Sequence, residues 1–461
     1  MDIKITGGKI ITEHEIFRAD IGIENGLITA VGPDINNPAD NTIDASGMLV
    51  LPGVIDAHVH FQLPAGGTVS ADDFENGTKA AACGGVTTVI DFAIQKKGKS
   101  LTQAIAERRG EADGRVAIDY ALHAVPTDWN DHTRNELKEI AAAGITTFKM
   151  YMVYAKQGLQ SDDAAIYSAL EETAQFGGMV TVHAESSVVL DLLVERYHTT
   201  EMMQQYGASC HPLSRPDYIE AEAIRRAITW AEATGGRLYI VHLSTAAGAD
   251  IVHEAKQHGI AVYAETCPQY LLLDDSVFDK EDGYLYATCP PVRKPADVAR
   301  LWRGLAEGDI SVIATDTCTF TTQQKSRWQG DFTQIPCGLP GLETLLPLIY
   351  TYGVGKKRIN ENQLVKLLCT DPARLMGLYP QKGAIQVGSD ADLVIFDPNR
   401  RIRLSYKDLQ TNCDWSPYEG FELIGYPHLT LSRGEIVARQ GKYTGKVGHG
   451  RYLARHQIMD I

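Results

Sequence analysis

Two histidines one residue apart, His58 and His60, stand where the apolar run 48–55 comes to its end. Side chains two positions apart on a strand point to the same side, so these imidazoles can converge on one metal ion. A pair of packed imidazoles is equally typical of this pattern. The prediction of a metal site therefore depends on ligands from elsewhere in the chain.

Four further candidate ligands end later apolar runs, namely Lys149, His183, His242 and Asp316. Each has a simpler explanation: a packed core imidazole for the two histidines, a helix N-cap before Thr317 for the aspartate, and an ion pair for the lysine. Together, four imidazoles and one carboxylate suit zinc, with manganese or cobalt as alternatives. They exceed what one tetrahedral ion needs, which predicts a two-metal site.

Lys149 is the unusual member of this set, because two dications would repel an ammonium group. A buried lysine with a lowered pKa is neutral and can react with carbon dioxide. The carbamate that results carries two oxygens that can bridge two ions. Carboxylation of Lys149 would therefore remove the conflict between its charge and the two dications.

The elements that must position these residues form a repeat between residues 50 and 320, in which a short apolar run precedes a longer charged stretch. The eight runs are 54–58, 86–92, 116–123, 145–150, 179–183, 238–243, 260–265 and 311–316. This alternation indicates parallel strands covered by helices, and eight units predict a closed (β/α)8 barrel. Catalytic residues of such barrels lie at the carboxyl ends of the strands, where the candidates stand.

Both chain ends show a different sequence pattern, with short stretches of alternating apolar and polar residues that predict strands, separated by turns such as Asn25-Gly26. We predict that they join into a small β-sandwich. The expected divisions are residues 1–50 and 379–445 for the two sandwich parts, 51–378 for the barrel, and 446–461 for a tail that could contact another subunit.

Composition excludes several classes of protein. The 461 residues include 43 basic and 58 acidic ones, a formal net charge of −15, which argues against nucleic acid or an anionic membrane as partner. No apolar run approaches the ~18 residues that span a bilayer, and no leader pattern begins the sequence. We expect a soluble cytoplasmic protein with eight reduced cysteines.

Six segments closely resemble the hydantoinase and dihydropyrimidinase family of cyclic amidohydrolases, most of all D-hydantoinases and phenylhydantoinases. They are PGVIDAHVH at 52–60, GGTVSADDFENGT at 66–78, FKMYMVY at 148–154, VHAE at 182–185, ETCPQYL at 265–271 and KVGHGRYL at 446–453. The resemblance implies the barrel with its sandwich and a homotetramer, with a dimer as the alternative. It also implies a binuclear site made of His58, His60, carboxylated Lys149, His183, His242 and Asp316.

The resemblance implies hydrolytic ring opening of a 5-substituted hydantoin or a dihydropyrimidine to an N-carbamoyl amino acid. A hydroxide bridging the two ions would attack the ring carbonyl. Asp316 would take its proton and pass it to the leaving nitrogen, and Tyr154 would donate its O–H to the developing oxyanion.

Substrate choice is assigned to loop residues by the same resemblance. The apolar residues expected to meet the ring substituent are Phe61, Leu63, Ile94 and Leu159. Cys289 and Cys337 stand where the family usually has serine and asparagine for the ring amides, and Thr317 stands where histidine or glutamine often follows the aspartate. These three departures bear on the substrate more than on the reaction.

Other functions remain as alternatives. Dihydroorotases place an arginine two residues after the second histidine, where this chain has Gln62. An allantoinase would open a ring with a ureido substituent, which the apolar loop residues disfavour. A non-catalytic scaffold resembling collapsin-response mediator proteins would lack parts of the ligand set, which is complete here. A metal-binding or storage module would not turn over any cyclic ureide.

Overall fold

The computed structural model describes residues 1–461, and its amino-terminal part is made of strands. They are β1 (Ile3–Thr6), β2 (Lys9–Ile11), β3 (Ile16–Arg18), β4 (Asp20–Glu24), β5 (Leu27–Gly32), β6 (Asn41–Asp44) and β7 (Leu49–Pro52). One residue, Gly53, separates β7 from the next strand. A Cβ at Gly53 would overlap the side chain of Thr87, so only glycine fits this passage.

Eight parallel strands follow, with a two-stranded hairpin of β9 (Pro64–Ala65) and β10 (Thr68–Val69) after the first of them. The eight are β8 (Val54–Asp56), β11 (Val86–Ile94), β12 (Asp119–Val125), β13 (Thr147–Tyr151), β14 (Met179–His183), β15 (Arg237–Ile240), β16 (Val262–Thr266) and β17 (Val312–Ile313). They pair in chain order. The ring closes where Val59 pairs with Thr317, whose carbonyl accepts the His60 N–H at 2.8 Å.

Helices cover the barrel strands and complete the connections. They are α1 (Phe74–Cys83), α2 (Leu101–Ala112), α3 (Asp131–Ala142), α4 (Asp163–Phe176), α5 (Ser187–Tyr197), α6 (Thr200–Tyr206), α7 (Cys210–Leu213), α8 (Asp217–Thr234), α9 (Ala246–Gln257), α10 (Pro268–Leu272), α11 (Pro295–Glu307), α12 (Thr322–Lys325), α13 (Leu345–Ile349), α14 (Glu361–Val365) and α15 (Asp371–Leu375). Each of the eight predicted runs overlaps one barrel strand. The prediction of a (β/α)8 barrel is confirmed.

The carboxyl-terminal strands are β18 (Leu393–Arg403), β19 (Glu422–Ser432), β20 (Glu435–Arg439) and β21 (Lys442–Tyr443). They join β7, β2 and β3 in a seven-stranded sheet, in the order β21-β20-β19-β18-β7-β2-β3. A second sheet has the order β5-β4-β1-β6. Buried side chains from both sheets, such as Ile21 of one and Leu393 of the other, share one core. The two chain ends therefore form the predicted sandwich.

A buried cluster of charges joins the barrel to the sandwich at the amino end of β12. The Lys382 ammonium lies 2.7 Å from Asp119, 2.7 Å from Asp392 and 3.0 Å from Asp390. Arg433 also pairs with Asp119. Although burial opposes its charge, these three carboxylates raise the pKa of Lys382. This cluster lies at the end of the barrel opposite to the candidate site.

No helix of the structure combines the length and the apolar character that crossing a membrane requires.

Candidate metal centre

The barrel brings all six predicted ligands to the carboxyl ends of its strands. Lys149 and His183 lie within β13 and β14, and His58 and His60 follow β8. His242 and Asp316 come shortly after β15 and β17. Ligand atoms of His58, His60 and Asp316 lie within 4.8 Å of one another. Residues as far apart in sequence as 58 and 316 thus share one small volume.

Asp316 is the shared neighbour of the first two histidines. Its Oδ1 lies 3.2 Å from the Nε2 of His58 and 3.2 Å from the Nε2 of His60. Burial lowers the pKa of His58 well below its usual value, and its Nδ1 contacts Glu265. A neutral His58 that donates Nδ1–H to Glu265 turns the lone pair of Nε2 toward the Asp316 oxygen. A cation between these two acceptors would remove their repulsion, so this donor set fits a metal ion.

The second pair of histidines has the same character. The Nδ1 of His183 lies 2.9 Å from the Nε2 of His242, while the Nε2 of His183 lies 2.7 Å from Glu185. Two facing ring nitrogens share at most one proton, whereas a cation between them binds both lone pairs. The Nδ1 of His242 is buried and has no hydrogen-bond partner. The protein alone therefore does not satisfy these rings.

Lys149 is buried at 1% exposure, and its Nζ lies 5.6 Å from the ring centre of Phe92 and 5.0 Å from that of Tyr151. No carboxylate forms an ion pair with it, so the alternative of a simple ion pair is wrong. Burial lowers the pKa of Lys149 to about 7. A neutral amine in this position can form a carbamate.

Three site residues have a left-handed backbone, which costs energy for residues other than glycine. The φ angles are 72° for Tyr154, 41° for His242 and 52° for Asp316.

No helix begins after Asp316, since the next one, α12, is capped by Thr321. The helix-cap explanation of Asp316 is therefore wrong.

Tyr154 lies between the histidines and a second group of polar residues. Its ring centre is 5.1 Å from that of His183 and 5.9 Å from the Arg215 guanidinium carbon. Burial raises the pKa of Tyr154 well above its usual value. The hydroxyl therefore keeps its proton at neutral pH and can act as a hydrogen-bond donor.

The four apolar loop residues that the sequence predicts near the ring substituent have different surroundings. Ile94, Leu159 and Tyr154 pack against one small cluster that contains Phe92 and Tyr151, and Leu63 is half-buried in the loop after β8.

Phe61 does not belong with them. It has no exposed surface, and its ring packs on Phe74, 5.5 Å away, and on Gly77. It directly follows His60 and points to the other side of the chain. The expectation that Phe61 meets the ring substituent is wrong.

The three departures from the family pattern have clear positions. Cys289 and Cys337 lie together with His211, with their ligand atoms within 4.8 Å of one another. Thr317 is buried and closes the barrel, and its Oγ1 accepts the Gly341 N–H at 3.2 Å.

Two carboxylates that support the ligands, Glu265 and Glu185, received no role from the sequence. Glu265 contacts His58 and also accepts the Tyr239 hydroxyl at 2.8 Å. Glu185 contacts His183 and accepts a hydrogen bond from Nη1 of Arg215 at 2.6 Å. A signal for Glu265 was present, because it ends the seventh apolar run just as the ligands end theirs. Carboxylates in this position fix the orientation and tautomer of ligand histidines.

The sequence pattern of the amidohydrolase family matches residues 49–437. That range covers most of the chain, so this protein belongs to the amidohydrolase family.

Its relatives have more specific names. The chain is 40% identical over 459 residues to a D-hydantoinase of Geobacillus stearothermophilus, covering 98% of this chain and 96% of that protein. A solved D-hydantoinase from a Bacillus sp. AR9 has a TM-score of 0.96 at 40% identity, covering 99% of this chain and 100% of that one. A dihydropyrimidinase from Brevibacillus agri NCHU1002 has a TM-score of 0.96 at 38% identity, covering 99% of each chain. The predicted resemblance to hydantoinases and dihydropyrimidinases is confirmed.

Proposed function

We propose that this protein is a cyclic-amide hydrolase that opens the ring of a 5-substituted hydantoin or a dihydropyrimidine and releases an N-carbamoyl amino acid. Full-length similarity to proteins named D-hydantoinase and dihydropyrimidinase supports this reaction. The observation that carries the proposal is the convergence of four imidazoles, one carboxylate and a buried lysine at one end of the barrel.

We propose that these six residues, His58, His60, Lys149, His183, His242 and Asp316, hold two divalent ions, zinc before manganese or cobalt. Carbon dioxide would convert Lys149 to N6-carboxylysine. When bound, the ions supply Lewis acidity and a nucleophilic water near neutral pH.

The chain's own groups direct the chemistry. Asp316, within 3.2 Å of two histidines, would accept the proton of the nucleophile and return it to the leaving ring nitrogen. Tyr154, which keeps its proton, would donate a hydrogen bond to the carbonyl oxygen as negative charge develops on it. Glu265 and Glu185 would hold His58 and His183 in their ligating orientation.

The substituent pocket favours hydantoins with an apolar 5-substituent over allantoin, whose substituent is a ureido group. Ile94 and Leu159 pack beside Tyr154 and offer apolar contacts to an aryl or alkyl group. A ureido group would lose hydrogen bonds to water there without regaining them. Leu63, Cys289 and Cys337 would complete the contacts to the ring and its substituent.

A substrate panel tests the proposal. The metal-loaded protein is assayed with both enantiomers of phenylhydantoin, dihydrouracil and allantoin, and the carbamoyl product is measured. We expect hydantoin or dihydrouracil opening and little turnover of allantoin. If the metal-loaded protein opened none of the cyclic ureides, the proposed function would be wrong.

The role of Lys149 has its own test. Lys149→Ala should lose metal and activity, and a short-chain carboxylate should restore part of both. Lys156→Ala, at an exposed lysine of the next loop, is the matched control and should keep full activity. Full activity of Lys149→Ala without added carboxylate would contradict the carbamate.

The homotetramer and the cytoplasmic location remain predictions. Sedimentation equilibrium measures the first, and fractionation of the source cells measures the second.

A further inference from the structure

A second cluster of metal-type donors lies next to the candidate metal centre and contains none of its six ligands. His211 is buried in α7, and Cys289 and Cys337 are half-buried in two loops. One ring nitrogen and two sulfurs lie within 4.8 Å of one another. Neither thiol is in a disulfide. Three separate segments of the chain therefore bring an N,S,S donor set together.

The imidazole is already oriented for ligation. The Nε2 of His211 donates to the carbonyl oxygen of Thr288 at 2.9 Å. This bond fixes the proton on Nε2 and leaves the lone pair on Nδ1, which is the arrangement found in metal-ligating histidines. Thr288 directly precedes Cys289, so the same short segment orients the histidine and supplies one sulfur.

The backbone around the cluster is held firmly. The Gly338 N–H donates to the Ala287 carbonyl at 3.0 Å, and the Lys325 ammonium donates to the same oxygen at 3.0 Å. These bonds tie the Cys289 and Cys337 loops to each other. A tetrahedral ion with metal–sulfur bonds of about 2.3 Å holds two sulfurs about 3.8 Å apart. Closing the cluster around an ion therefore requires only a small movement.

The surroundings favour the thiolate form of Cys337, whereas the hydrogen bond with Cys337 and burial raise the pKa of Cys289 well above its usual value. A hydrogen bond with Cys289, followed by the cations Lys325 and Arg215, lowers the pKa of Cys337 to about 7 although burial opposes this. Binding of a divalent ion would release the protons that remain on the two thiols. Two thiolates and one neutral imidazole carry two negative charges, which equal the two positive charges of the ion.

We propose that His211, Cys289 and Cys337 form a third metal site, which binds one zinc-class ion per chain and blocks the substrate pocket while it is occupied. Thiolate and imidazole donors select soft or borderline ions over magnesium or calcium. The proposed function places Cys289 and Cys337 against the substrate ring, and the guanidinium carbon of Arg215, shortly after His211, lies 5.9 Å from the Tyr154 ring centre. An ion held in this cluster would therefore adjoin the substrate pocket. Metal binding stands independently, whereas the blocking effect rests on the proposed function.

Cadmium is the probe for the binding step, because its bond to sulfur gives an ultraviolet charge-transfer band and the six-residue centre contains no sulfur. The metal-loaded protein, reduced with a phosphine, is titrated with cadmium. We expect one equivalent of thiolate-bound cadmium per chain. Cys289→Ser and Cys337→Ser should each abolish the band or weaken binding at least about tenfold, as loss of a ligand predicts.

The matched control is Cys210→Ser. Cys210 directly precedes His211, but its Sγ contacts the Met202 carbonyl at 3.4 Å instead of the cluster. This variant should bind cadmium like the wild type. X-ray absorption of the zinc-loaded wild type needs no variant and should show sulfur scatterers at about 2.3 Å. Absence of the band and of these scatterers, or an unchanged band in Cys289→Ser and Cys337→Ser, would overturn the site.

The blocking effect has a separate readout. Excess zinc should inhibit ring opening in competition with substrate, and Cys337→Ser should be inhibited at least about tenfold less. Thiolate-bound metal without inhibition would confirm the site and contradict the blocking. Absence of turnover by every form would count against the proposed function and leave the cadmium result as it stands.

Discussion

Replacing Glu265 by glutamine tests whether the candidate centre depends on a carboxylate that is not itself a ligand. Glu265 contacts the Nδ1 of His58 and accepts hydrogen bonds from the Tyr239 hydroxyl at 2.8 Å and the His242 N–H at 3.2 Å. Glu265→Gln keeps the shape of the side chain and removes its charge. Its amide can also present an N–H to Nδ1, which would favour the His58 tautomer with the proton on Nε2, the nitrogen that faces Asp316.

The size of the effect follows from these contacts. A hydrogen bond to a charged group is worth about 1.5–3 kcal/mol and a neutral one about 0.5–1.5 kcal/mol, so the charge alone accounts for about 1–1.5 kcal/mol. That difference corresponds to roughly tenfold in affinity. Adding the unfavourable tautomer, we expect metal affinity to fall by about 10–100-fold.

Competition with a chromophoric chelator measures this affinity. Burial raises the pKa of Glu265 to about 7, so an assay near pH ~8 compares a charged carboxylate with a neutral amide. Glu343→Gln is the matched control, because that buried carboxylate accepts the Gln410 N–H at 2.7 Å and contacts no candidate ligand. Equal metal affinity of Glu265→Gln and Glu343→Gln would refute the orienting role.

Three further predictions concern stability. Burial raises the pKa of Glu343 to about 8, so the folded state holds a proton that the unfolded state releases, and the stability that this proton contributes is lost as pH rises to about 8. Glu343→Gln lacks this dependence, so its melting temperature should rise relative to that of the wild type between pH ~5 and ~8. A difference in melting temperature that stays constant over this range would contradict the prediction. Lys382→Met removes the buried ammonium that Asp119, Asp390 and Asp392 share and should destabilise by about 3–5 kcal/mol in denaturant unfolding; a change below about 1 kcal/mol would contradict the role of the cluster. Gly77→Ala places a Cβ against the Phe61 ring and should cost about 1–3 kcal/mol by the same assay, whereas unchanged stability would show that the ring moves freely.

The barrel could be predicted because its strands are buried on both faces and therefore appear as continuous apolar runs. The element ends were less accurate. The third run was predicted at 116–123, whereas β12 begins at Asp119, where pairing with Thr88 of β11 starts. Val116 instead bonds the carboxyl-terminal segment, since its carbonyl accepts the Gly450 N–H at 2.9 Å. Buried loop and buried strand have the same composition, so hydrophobicity alone does not separate them.

Residues in the site were predicted where strand ends gave them a position and missed where only a long-range contact did. Arg215 ends no apolar run, and only its contact with Glu185, 30 positions away in sequence, brings it to the site. Phe61 shows the opposite error, since its place beside His60 suggested the pocket while its side chain enters the core. The left-handed backbone of Asp316 and His242 is likewise a feature that residue type alone does not predict.

Stability and chemistry are assigned to opposite ends of the barrel. Lys382 and Asp119 fix the amino end of β12 to the sandwich, whereas the candidate ligands follow the carboxyl ends of the strands. Because the two groups share no partner, their effects should be additive. Lys382→Met should therefore lower the unfolding free energy without changing the metal affinity of the folded protein, and Glu265→Gln should weaken metal binding in both backgrounds by the same factor. Strong coupling between the two substitutions would mean that the sandwich contact also shapes the metal centre.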